Sequence, residues 1–95
     1  MLSNTKLTAE QKAERKEMLA WAEEDGLHFM YDESSGTTML VKEHENTCHV
    51  WTAVCSHDEQ KYRRKVGEYY ALLRWAYGQD GSVFPTEFLL DYKYA

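Results

Sequence analysis

The 95-residue chain has one proline, two cysteines and five glycines, and no window approaching the 18 or so apolar residues that cross a bilayer. With a single proline and isolated glycines there is no Pro- or Gly-rich linker, and no repeat or low-complexity segment divides the chain. One domain over 1–95 is therefore expected. The glycines are scattered singly along the chain, which excludes a glycine-rich phosphate loop. No Cys-x-x-Cys pair is present to seed a zinc knuckle. The opening residues, Met1-Leu2-Ser3-Asn4-Thr5-Lys6, carry no apolar run of the kind a secretory signal needs. The expected setting is a reducing cytoplasm without membrane contact, where Cys48 and Cys55 remain free thiols.

What is present favours folding. Apolar residues make up 43% of the chain and aromatics 14%, too many large side chains for a disordered segment despite 28% charged residues. A chain of this size hides roughly 60–65% of its unfolded surface, enough for one modest core but not for a large buried cavity as well. The net charge of −5 is uneven. Residues 1–60 hold twelve acidic and five basic side chains, a balance of −7, and residues 61–95 hold four and six, a balance of +2. An acidic domain repels duplex phosphate, so nucleic acid is disfavoured and a basic protein surface is the better partner.

Local signals order the elements. Thr8 with Gln11 three residues on forms a capping box, and the helix it opens should run to about Asp25 and stop at Gly26. Its apolar residues come late, at Met18, Leu19, Trp21 and Ala22. These last turns are expected in the core, and the first two, through Lys12 and Lys16, are solvated or partner-facing. Glu23-Glu24-Asp25 places negative charge at the helix C-terminus, where the dipole opposes it, so either a basic partner compensates or the turn frays, and fraying is the expectation. Short β-type runs follow at 27–31, 38–41 and 48–55, joined by polar turns at 32–36 and 43–46, the pattern of a three-stranded antiparallel meander. Ser56 and Glu59 form a second capping box. Tyr62, Val66, Tyr69, Tyr70, Leu73 and Tyr77 then trace one helical stripe ending at Gly78. Pro85 opens a short closing helix with Phe84, Phe88 and Tyr92 spaced by four, or the segment is a strand on the sheet edge. The expected class is α+β, an α-β-β-β-α chain with the meander packed against two helices.

The order α-β-β-β-α over residues 8–78 resembles the double-stranded-RNA-binding domain in topology. That family grips phosphate with a lysine cluster at the start of its second helix. Here the corresponding stretch begins Ser56-His57-Asp58-Glu59, with Lys61, Arg63, Arg64 and Lys65 following. The resemblance implies an alternative function, nucleic-acid binding through the basic second helix.

Candidate chemistry is sparse. His44, Cys48, Cys55 and His57 could supply four zinc ligands, but their spacing matches no standard motif. A straight strand would hold the two cysteines about 23 Å apart, on opposite faces. Cys55-Ser56-His57 sets a thiol near an imidazole without a third, orienting group. Neither metal, cofactor nor catalytic activity is expected.

Surfaces offer more. If both helices cover one sheet face, the other is left with Met30, Leu40 and either Trp51 or the valines of the third strand unless the closing segment covers it, and tryptophan and methionine are enriched at protein interfaces. Lys61, Arg63, Arg64 and Lys65 form a second candidate surface, with Glu68 expected to ion-pair with Arg64 and Lys65. The expected function is that of a small acidic, non-enzymatic module that binds a cytosolic protein and modulates or inhibits it. In size, acidity and shortage of motifs it resembles the effectors that bacteriophages direct at host machinery. Homodimerisation through the open face or an exchanged C-terminal segment is the remaining partner reading.

Overall fold

The computed structural model describes residues 7–32, 34–54 and 64–91. In chain order they form α1 (Ala9–Glu24), β1 (Leu27–Asp32), β2 (Thr37–Glu43), β3 (Thr47–Val54), α2 (Arg64–Ala76), β4 (Ser82–Pro85) and a 3-10 segment, η1 (Thr86–Asp91). The class is α+β, with a helix, three strands and a helix in the order read from the sequence. Cys55, Ser56, His57, Lys61, Tyr62, Arg63 and Tyr92 lie outside the described residues.

The capping box forms as its spacing requires. The Gln11 amide donates to Thr8 Oγ1 at 3.1 Å, and the Thr8 amide donates to Gln11 Oε1 at 2.9 Å. At the other end α1 stays helical to Glu24. Lys42 Nζ, on β2, stands 3.1 Å from Asp25 Oδ2 and supplies the cation that the helix end needs. The last turn is thus formed rather than frayed. Gly26, at φ 82°, then reverses the chain into β1.

The sheet has four antiparallel strands in sequence order. β4 is the addition: Phe84 sits opposite Cys48 and Ser82 opposite Val50. The closing segment is thus a strand and then a 3-10 turn. Pro85, with no amide hydrogen to donate, ends an edge strand where the loss is tolerated.

Register decides the faces. Phe29 pairs with Leu40 and Leu40 with Trp51, so these three point the same way, beneath the helices. With Leu27 and Ala53 they pack against Met18 and Ala22 of α1 and Val66, Tyr69, Ala71 and Leu72 of α2. Met30 pairs with Met39 and Val41 with Val50, so these point to the opposite side, together with Cys48. Met30 and Leu40 therefore do not share a face, which corrects the grouping expected above. They are also 1% and 0% exposed. The second face is covered by the chain itself. Leu89 packs onto it, with Phe84 and Phe88 stacked at a centroid distance of 4.3 Å.

The buried arc of α2 differs from the tyrosine stripe. Val66 and Tyr69 are inside, but so are Gly67, Glu68, Ala71 and Leu72, and Tyr77 is 80% exposed. The helix packs against α1 as well as β2 and β3, so its buried surface is wide and turned away from Tyr77. Glu68 is the unexpected member. Its Oε1 accepts from Arg15 Nε at 3.0 Å and Nη2 at 2.8 Å, and its Oε2 accepts from the Tyr31 hydroxyl. Arg64 lies over the Tyr31 ring, 4.4 Å from its centroid. The surface group expected around Glu68 is instead a part-buried knot joining α1, α2 and β1.

Candidate functional site

The exposed large aromatic rings among the described residues, Trp21 and Tyr77, both stand between the two helices. Glu14, Glu17, Met18 and Trp21 of α1 face Leu73, Ala76 and Tyr77 at the end of α2 across an open groove of about 230 Å³. Trp21 is 50% and Tyr77 80% exposed, and both rings line the same groove rather than standing singly. The expectation that Trp21 belongs wholly to the core is corrected. Met18 and Ala22 take the buried positions, and Trp21 stands on the rim.

The charge around the groove follows from helical spacing. At 100° per residue, Glu10, Glu14, Glu17, Trp21 and Glu24 fall within an arc of about 80°. All are exposed, and Lys12 and Lys16 project from the opposite side of α1. Glu10 and Glu14 are four apart and Glu14 and Glu17 three apart, separations at which like charges disfavour a helix. No ion pair to Glu10, Glu17 or Glu24 forms among the described residues. Glu14 is anchored, its Oε2 accepting from the Tyr69 hydroxyl at 2.8 Å.

That contact has a measurable consequence. Burial, and then the Glu14 carboxylate, push the Tyr69 phenol up from 10.0 to about 12. The fold therefore holds this proton more tightly than the unfolded chain does. The resulting stability is complete below about pH 10 and disappears as the pH climbs towards 12. Urea midpoints measured from pH 8 to 11.5 should fall across that window, and should fall less steeply in Tyr69→Phe. Equal slopes for the two proteins would contradict the assignment.

The sequence-derived candidates are dispersed. Trp51 is half-buried against the helices, and its indole N–H donates to the Gln79 carbonyl at 2.7 Å. A Cβ on Gly81 would come within 2.9 Å of that indole, so only glycine lets the α2–β4 connection pass so close. A polar hollow of about 530 Å³ opens beside Trp51, but Arg74 in its wall is already donating to the Thr52 carbonyl. Met30 and Leu40 are buried on opposite faces. Arg64 and Lys65 are exposed at the start of described α2, and Lys61 and Arg63 lie outside the described residues.

Nucleophilic chemistry finds no support among the described groups. Cys48 is buried, and its thiol is pushed up first by burial and then by the Glu43 carboxylate, so it stays protonated. It faces away from His49, its neighbour in β3, across the sheet. No set of three histidine, cysteine or carboxylate side chains converges on one point among the described residues. No helix among them is long and apolar enough to cross a membrane. Comparison with protein-family models, with curated proteins and with solved structures finds no match to this chain.

Proposed function

We propose that the chain is a non-enzymatic protein-binding module whose working surface is the groove between α1 and α2, and that it takes a basic, apolar-anchored segment of a partner protein. The observation that carries this reading is the exposed Trp21–Tyr77 pair flanked on one side by glutamates alone. Tryptophan and tyrosine are among the residue types that supply most binding energy at interfaces. The glutamate stripe adds direction. It repels acidic surfaces, attracts basic ones and would lose its internal repulsion when a cationic partner lies along it. In this reading the partner is a cytosolic protein whose basic surface the module masks. That is the action of a small inhibitor, of the kind phages direct at host machinery.

The test uses a synthetic amphipathic helix of leucine and arginine as probe, titrated against the intact chain and followed by tryptophan fluorescence. Trp21→Ala should weaken binding by about 2 kcal/mol, near thirtyfold. Glutamine at positions 10, 14, 17 and 24 should weaken it further and flatten its salt dependence. Equal binding of a scrambled peptide of the same charge would sink the proposal. So would preferential binding of duplex RNA, which would favour the basic-helix alternative.

A further inference from the structure

At its turn end, the β2–β3 hairpin brings two imidazoles together. His44 stands in the turn, where its amide donates to the Thr47 carbonyl at 2.8 Å and closes the loop. His49 lies in β3 opposite Lys42, within a ladder paired on both sides. The pairing sets His44 Nε2 and His49 Nδ1 3.3 Å apart, with ring centroids 4.9 Å apart. His49 in turn meets the edge of Trp51 at 6.2 Å, and Trp51 is held by its bond to the Gln79 carbonyl. The second imidazole thus belongs to a row of rings fixed by the backbone on both flanks.

We propose that His44 and His49 together bind a borderline divalent transition-metal ion of the Zn(II)–Cu(II) class, leaving its other coordination positions open to water or to a further ligand. The separation is the basis. Two nitrogens each about 2.0–2.1 Å from a tetrahedral ion lie about 3.3–3.4 Å apart, so little ring movement is needed to admit one. Imidazole nitrogen suits this class of ion, and affinity rises from Zn(II) to Cu(II) at a site of such donors. The hydrogen bond now spanning the pair occupies one lone pair. The ion takes the place of the bridging proton, which transfers through solvent to the other nitrogen of the same ring, so both rings stay neutral. Cys48 cannot join, because it points to the opposite face beneath Phe84. No third protein ligand is in place among the described residues, so the site is exchangeable rather than structural.

The experiment titrates the intact chain with zinc chloride and, separately, with copper(II) chloride. The expected result is one equivalent of Cu(II) bound at a dissociation constant on the order of micromolar, with Zn(II) weaker. The electron paramagnetic resonance spectrum should show nitrogen ligation. Bound copper should quench Trp51, and Trp51→Phe should keep the binding while losing that part of the quench. His44→Asn and His49→Asn should each weaken binding at least about tenfold, and the double variant little more than either. In the unsubstituted chain Cu(II) should broaden the amide signals of residues 44–50 first, a readout that needs no variant. Binding that is unchanged in either single variant, broadening centred elsewhere, or no binding below millimolar metal would overturn the proposal.

Discussion

Replacing Glu68 by alanine should cost at least about 3 kcal/mol, the lower end of the range for breaking a buried ion pair. The side chains of Arg15 and Glu68 are only 16% and 10% exposed, so removing the carboxylate leaves a guanidinium largely out of water without its counter-charge. The Tyr31 hydroxyl loses its acceptor in the same step. Small domains have a total stability of about 5–15 kcal/mol, so this single change could consume much of it. Chemical unfolding followed by circular dichroism gives the value directly. Arg15→Met combined with Glu68→Met should recover most of the loss, since paired apolar replacement of a buried ion pair is often neutral or better. A Glu68→Ala protein within about 0.5 kcal/mol of the parent would show that the knot is solvated and contributes little.

A chain ending at Gly81 should fail as a monomer. Without β4 and η1, the lower face of the sheet loses Phe84, Phe88 and Leu89. Met30, Met39, Val41, Cys48 and Val50 then face solvent. Each large apolar side chain fully re-exposed is worth about 1.5–3 kcal/mol, so their sum rivals the stability of the whole domain. The truncated chain should bind a hydrophobic dye, elute as an oligomer and show no sharp thermal transition. A monomer with an unchanged melting temperature would mean that the closing segment is ornamental. The same comparison bears on self-association, because the sheet face once considered for a dimer is the one that Leu89 covers.

Much of the fold was readable because local rules act on single residues. Thr8 and Gln11 form a capping box wherever they start a helix, and Gly26 ends one. The alternation of the three strands, with short polar turns between them, forces a meander. What could not be read depends on which elements meet. Glu68 looked like a surface partner for Arg64 and Lys65 because helical spacing alone places it beside them. Its burial depends on Arg15 arriving from α1 and Tyr31 from β1, and both are remote in sequence. Alternation within each strand does not say which faces of neighbouring strands coincide, so the separation of Met30 from Leu40 rests on the pairing of Phe29 with Leu40. The basic cluster survives only in part, with Arg64 drawn over Tyr31 and Lys65 exposed.

The groove had a sequence signal that a core-seeking reading passes over. Glu10, Glu14, Glu17, Trp21 and Glu24 follow the i, i+4, i+7, i+11, i+14 spacing of one helical stripe, as regular as any apolar one. A periodic search that counts only hydrophobic residues sees Trp21 and discards the glutamates around it. Tyr77 fits the buried stripe of α2 by spacing for the same reason. It completes the other wall of the groove because α2 turns its buried arc towards α1 and the sheet.

The most direct test of the account is a map of where a basic partner touches the protein. Amide and side-chain resonances of the isotope-labelled chain would be followed by NMR during titration with the leucine–arginine helix. Shifts should be confined to residues 10–24 and 69–78, led by the Trp21 indole and the Tyr77 ring, with the β1 edge and Lys65 undisturbed. Shifts centred on the β1 edge or on the start of α2, or shifts spread evenly over every acidic side chain, would contradict it.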